Sequence, residues 1–224
     1  MDRFCVADAR SWMGQTARLI AEHEADLTAL DTAIGDGDHG ANMDRGFGAV
    51  EKNLKTAPVV DVASLFKSVG MTLLSTVGGA AGPLYGGFFL ALARVSAGKQ
   101  SLTKPELQQA LQEGLTDIQR RGKAQRGDKT MVDTLAPALV ALAAMPDADI
   151  ATATKAAAEA AAEAAKATVP MLARKGRASY LGERSIGHQD PGATSCALLL
   201  QALASVCNSL AQEVGAAGAG SSLA

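Results

Sequence analysis

Between residues 31 and 38 the chain reads Asp31-Thr32-Ala33-Ile34-Gly35-Asp36-Gly37-Asp38, three carboxylates in eight residues with glycines among them. Unpaired, these charges repel. Glycine lets the backbone turn so that the carboxylates face one centre, where a hard divalent cation offsets the repulsion. Magnesium accepts such oxygens at about 2.0–2.1 Å and keeps positions free for water and phosphate. The same residues suit a turn and a helix cap, because Asp-Gly is common in one and Asp in the other, and spacing alone does not choose. Calcium in an EF-hand loop fits poorly: the twelfth position counted from Asp36 is Phe47, where a bidentate glutamate is needed.

Two further stretches have the composition of a binding site. Gly78-Gly79-Ala80-Ala81-Gly82 precedes an apolar run, so its backbone N–H groups are available to phosphate oxygens at a helix N-terminus. It lacks the Lys-Ser/Thr ending of a P-loop and follows no strand, and its glycines equally suit close helix packing. Arg174, Lys175, Arg177 and Arg184 put four cations in eleven residues, next to His188 and Asp190. Such a loop is usually a solvated surface, yet opposite a carboxylate-bound metal its guanidinium groups can clamp phosphate oxygens. Acid cluster, glycine turn and arginine loop together describe nucleotide phosphate with magnesium better than any one of them does.

The elements that must position these stretches are helical. Alanine supplies roughly one residue in five, and apolar residues recur at three- and four-residue spacing almost throughout. The pattern predicts helices over about Val6–Glu24, with Leu27 and Leu30 extending or following; around Met43–Leu54; after Asp61 as a cap, through Leu73; and over Leu84–Leu92. Thr103-Lys104-Pro105-Glu106 has the capping-box form and opens a fifth helix through Ile118. Thr130–Ala144 gives a sixth, the alanine-rich stretch 151–167 a seventh, and Ala193 to about Val214 an eighth. Residues 174–192 show no period. The expectation is one all-α domain over residues 1–214, an antiparallel up-and-down barrel or bundle, followed by a disordered Gly/Ala/Ser tail over 215–224. If the helices alternate in direction, the connections after the first, third, fifth and seventh meet at one end: 31–42, 78–82, 122–130 and 174–192.

Composition narrows the alternatives. With 224 residues, 48% hydrophobic and 20% charged, the chain can bury a core without a partner. A net charge of −2 and 4% aromatics argue against a protein that neutralises or stacks on nucleic acid. Cys5, Cys196 and Cys207 are odd in number and lack C-x-x-C spacing, which points away from a disulfide framework or zinc knuckle and towards a reducing cytoplasm. The N-terminus lacks the apolar core of a signal peptide. Ser68–Ala93 carries no charge but holds Pro83 and six glycines, so it reads as helix, glycine loop, helix rather than a membrane span.

The segments 30–46, 70–89, 121–137 and 173–195 resemble the nucleotide-binding DhaL subunits of dihydroxyacetone kinases. The resemblance implies an eight-helix antiparallel barrel with the nucleotide across one end. Carried over by motif position, Asp31, Asp36 and Asp38 would hold two magnesium ions bridging the phosphates. His39, Gly40, Ala41, Asn42, Ala80, Ala81, Gly122, Met131, Arg177, Asp190, Pro191 and Gly192 would line ADP or ATP, with Met131 against the adenine and Arg177 catalytic. His188 receives no role. Where the family's glycine turn commonly has serine this chain has Ala81, a lost hydroxyl that should weaken binding modestly, since backbone N–H groups serve there. In this family the ketose is held covalently by a histidine of a separate DhaK subunit or domain, so phosphate would pass from the nucleotide to the hydroxyl of dihydroxyacetone held on that partner. Either ATP would be an exchangeable substrate, or ADP would stay bound as a cofactor and be rephosphorylated in place by the phosphotransferase-system protein DhaM, and a length without a fused substrate domain leads us to expect the second. Related ketoses such as erythrulose, a homodimer, and a nucleotide-sensing interaction module stay open on sequence alone.

Overall fold

A computed structural model describes residues 3–220 and, for residues 210–220, the backbone alone. Nine α-helices are present among them: α1 (Val6–Glu22), α2 (Glu24–Ile34), α3 (His39–Thr56), α4 (Val62–Thr76), α5 (Ala81–Val95), α6 (Lys104–Gly122), α7 (Met131–Ala143), α8 (Ile150–Lys166) and α9 (Pro191–Gly220). A 3-10 helix, Arg177–Ser185, lies between α8 and α9. β1 (Arg3–Cys5) pairs antiparallel with β2 (Ser101–Thr103), Phe4 opposite Leu102.

Helix ends follow local chemistry. Asp61 accepts the Ser64 N–H at 2.7 Å, and Thr103 and Glu106 form the expected reciprocal box at the start of α6. Thr130 with Asp133 does the same for α7, while Asp149 takes the Thr152 N–H at 2.8 Å ahead of α8. The first expected helix is two: non-helical dihedrals at His23 (φ −107°, ψ 14°) end α1, and α2 starts at Glu24. With α2 counted as the continuation of α1, the expected eight helical runs are all present. α9 continues past the expected end near Val214 to Gly220, so the backbone of 215–220 is helical where a disordered tail was expected; the rest of that tail, 221–224, lies outside the described residues.

The helices close into a ring. α1 packs on α3, α3 on α4, and so on through α8 and α9, and α9 returns to α1; the barrel, undecided from pattern alone, is therefore the architecture. Trp12 anchors its interior. Its ring meets Phe4, Phe66 and Phe89 with centroids 5.7–6.2 Å apart, and its Nε1–H donates to the Leu199 carbonyl at 2.8 Å, tying α1 to β1, α4, α5 and α9. α4 and α5 approach so closely that a Cβ on Gly70 would lie 2.8 Å from the Gly86 carbonyl oxygen. No helix among the described residues is long and apolar enough to cross a membrane.

Candidate functional site

Alternating directions place the N-termini of α3, α5, α7 and α9 at the same end, together with the turn that ends α2. The positive ends of four helix dipoles collect there, and α5 starts without a side-chain cap, which favours an anion. A cavity of about 260 Å³ opens among them, lined by residues from all four connections that were expected to converge.

The acid turn is built by its own glycines. A Cβ on Gly35 would run into the Asp31 carboxylate, and Gly37 has φ +73°, a conformation that disfavours side chains. Asp31 Oδ2 accepts the N–H groups of Asp38 at 2.9 Å and His39 at 3.1 Å, so this carboxylate closes the turn and caps α3. One carboxylate oxygen from each of Asp31, Asp36 and Asp38 lies within 4.8 Å of the others. Asp31 is buried and the other two are exposed. Hard oxygen donors at this spacing, with solvent on one side, fit a magnesium ion that retains waters or phosphate oxygens.

Of the four residues that open α3, the structure turns only His39 and Asn42 to the cavity. Successive helical residues point about 100° apart, so positions three apart share a face while those between do not. Gly40 is buried against α2, where a Cβ would meet the Glu24 carbonyl, and Ala41 is exposed away from the cavity. His39 Nε2 lies 2.9 Å from Ser195 Oγ, which in turn lies 2.7 Å from the Tyr85 hydroxyl. Burial lowers the pKa of His39, against the pull of Asp31 and Asp38, and raises that of Tyr85 well above its ordinary value.

Ala80 and Ala81 begin α5 without a side-chain cap, after Gly79 at φ +62°. Gly78 rests on Asn42: a Cβ there would come 2.9 Å from Asn42 Oδ1. Gly122 and Met131 line the facing wall, and Met131, though nearly all buried, sits at the first position of α7. Asp190, Pro191 and Gly192 complete the wall at the start of α9. Asp190 accepts the Ala193 N–H at 2.7 Å, and burial pushes its pKa up to about 7 against that hydrogen bond and the Lys129 charge, with Asp133 and Asp31 adding to the rise.

Arg177 begins the 3-10 helix directly after Gly176, whose φ of +66° turns the chain over the cavity. Its Nη2 pairs with Asp36 Oδ2 at 3.0 Å, so the arginine loop and the acid turn meet across the opening. Sequence reasoning passed over Lys129, Tyr85 and Ser195. Lys129 lines the cavity and is wholly buried, yet its sequence neighbours are those of a polar loop; Tyr85 and Ser195 read as ordinary helix positions.

The chain belongs to the DAK2-domain family, which matches residues 33–205. Within that family it is 46% identical to the ADP-binding subunit DhaL of the PEP-dependent dihydroxyacetone kinase of Escherichia coli K12, over 87% of this chain and 93% of that one. It is 47% identical to the DhaL subunit of the PTS-dependent enzyme of Lactococcus lactis, over 87% of this chain and 94% of that one. The crystal structure of the C. freundii dihydroxyacetone kinase superposes with a TM-score of 0.70 at 29% identity over 89% of this chain; a second structure of that enzyme is a complex with AMP-PNP and Mg2+. The chain spans 34% of the C. freundii enzyme.

Proposed function

We propose that this chain is the nucleotide-carrying phosphotransfer subunit of a dihydroxyacetone kinase, working in the cytoplasm with a DhaK subunit that holds the ketose. The observation that carries this reading is the meeting of the Asp31, Asp36 and Asp38 carboxylates with Arg177 across a cavity ringed by four helix N-termini. The starts of α5 and α9 would offer N–H donors to the phosphate oxygens, and Met131 would take the adenine. Asp31, Asp36 and Asp38 would hold magnesium, which when bound supplies neutralising charge to the phosphates. Arg177, now paired with Asp36, would be placed to donate to a transferring phosphoryl and stabilise the charge on its oxygens. The acceptor hydroxyl comes from dihydroxyacetone on the partner, so the exposed face of the arginine loop is where DhaK must present it.

The donor follows the relatives that match nearly end to end, which are named PEP- or PTS-dependent. ADP then stays on the chain and is rephosphorylated in place by a DhaM phosphotransferase protein. The C. freundii enzyme, crystallised with AMP-PNP, supports a second reading in which ATP exchanges freely. Mixing the protein with E. coli DhaK, dihydroxyacetone and either the PEP-fed phosphotransferase proteins or ATP separates the two. Dihydroxyacetone phosphate formed only with PEP and DhaM is the expected result; formation with ATP alone would favour the second, and formation with neither would leave a nucleotide-sensing module.

A further inference from the structure

Lys129 ends the connection between α6 and α7 in the left-handed conformation, φ +62°, with no exposed surface. A buried ammonium is costly unless its donors are met. Here Nζ faces four backbone carbonyls: His188 at 2.5 Å, Ser185 at 2.7 Å, Met171 at 3.1 Å and Val169 at 3.4 Å. Its three N–H groups are therefore committed to backbone, which leaves none for a phosphate. Those carbonyls come in two pairs, one before and one after the segment that carries Arg177.

The same two stems are stitched by weaker means. Gly187 donates its N–H to the Val169 carbonyl at 2.8 Å and Ala173 to Ser185 Oγ at 2.9 Å, while the Arg174 N–H reaches the Asp128 carbonyl, beside Lys129, at 3.0 Å. Between the stems, Gly176 and Gly182 turn the chain with positive φ, and the intervening 3-10 helix rests on Ile34 through Ala178 and Leu181. Burial lowers the pKa of Lys129, and the nearby Asp190 opposes that shift only in part.

We infer that Lys129 is a positioning residue: its ammonium gathers both stems of the arginine loop onto one point and so holds Arg177 over the acid cluster. This rests on reading the cavity as a nucleotide site. Losing the ammonium releases four carbonyls at once and lets the loop, Arg177 included, leave the cavity mouth.

The test is a double-mutant cycle on the binding of ADP with Mg2+, read by calorimetry, together with amide hydrogen exchange of residues 171–188 in nucleotide-free protein. Arg177→Ala weakens ADP by about tenfold in the native background, the worth of one charge-assisted hydrogen bond, and by less than about threefold in Lys129→Met. In Lys129→Met the amides of 171–188 exchange at least about tenfold faster while the helical circular-dichroism signal persists. If Lys129→Met does not fold, Lys129→Gln, uncharged but with two N–H donors, enters the same cycle. A full tenfold effect of Arg177→Ala in the lysine variant, or unchanged exchange over 171–188, overturns the inference. Native protein that binds no ADP would instead overturn the nucleotide reading, and the exchange measurement alone would then decide the role of Lys129.

Discussion

Replacing Asp36 by Asn is the cleanest probe of the acid cluster, because Asp36 differs from Asp31 in what it does for the fold. Asp31 caps α3 through two N–H groups, so its loss costs helix stability as well as charge. The Asp36 carboxylate makes one contact, with Arg177, and is 34% exposed. Two unit charges about 4 Å apart interact by about 1 kcal/mol in water and about 4 kcal/mol at an effective dielectric constant of about 20. Exposure puts Asp36 towards the lower figure, and a dication doubles it, giving about 2 kcal/mol, or about 30-fold in metal affinity. The Arg177 contact, solvent-exposed, contributes at most about 1 kcal/mol to folding, so Tm shifts by no more than about 2–4 °C. Mn2+ titration of nucleotide-free protein, followed by electron paramagnetic resonance, reads the first effect, and circular dichroism the second. Phosphoryl transfer in the DhaK-coupled assay should be abolished. Asp36→Asn protein that binds Mn2+ as the native chain does and transfers at full rate would refute the metal assignment.

Trp12→Ala should cost about 3–5 kcal/mol, from the cavity it leaves and the orphaned Leu199 carbonyl, lowering Tm by about 10 °C or more in thermal denaturation; a drop of a degree or two would count against Trp12 as the anchor of the barrel interior. Asp190 titrates at about 7 in the fold and at about 3.9 when unfolded. Between these values the unfolded chain releases a proton that the fold retains, so this group's stabilising contribution is complete below about pH 4 and is lost as pH rises through 7. Tm of nucleotide-free protein measured from pH 5 to 8 should fall less steeply in Asp190→Asn than in the native chain; equal slopes would argue against a protonated Asp190. Gly40→Ala should lower Tm by several degrees through the clash with the Glu24 carbonyl, since overpacking costs about 1–3 kcal/mol, whereas Ala41→Ser should leave both Tm and ADP affinity alone.

The helices were legible because they carry their own apolar period and some carry their own start signals: Asp61 and Thr103 cap α4 and α6 as their neighbours in sequence require. Convergence of the four connections followed from alternation alone. The break at His23 was hidden, because neither glycine nor proline marks it and the Leu27 N–H still bonds the His23 carbonyl at 2.9 Å, keeping the helical period across the bend. The β1–β2 pair joins three-residue segments nearly a hundred residues apart, beyond any local signal. The arginine loop showed no period because it is a 3-10 helix interrupted at Gly182. Motif positions named Asp31, Asp36, Asp38 and Arg177, which the fold brings together at the cavity, while Gly40 and Ala41 fall off it for reasons of helical phase. Lys129 was illegible: its burial depends on four carbonyls contributed by residues 40 to 59 positions further on, and nothing in its own neighbourhood announces them.

The central claim, that this cavity carries a nucleotide as a resident group, is tested most directly by what the protein retains. Purified without added nucleotide, desalted in the presence of magnesium and then denatured, it should release close to one ADP per chain, identified by mass spectrometry. An empty protein that takes up ATP reversibly would shift the donor to free ATP. Failure to retain or bind either nucleotide would contradict the account.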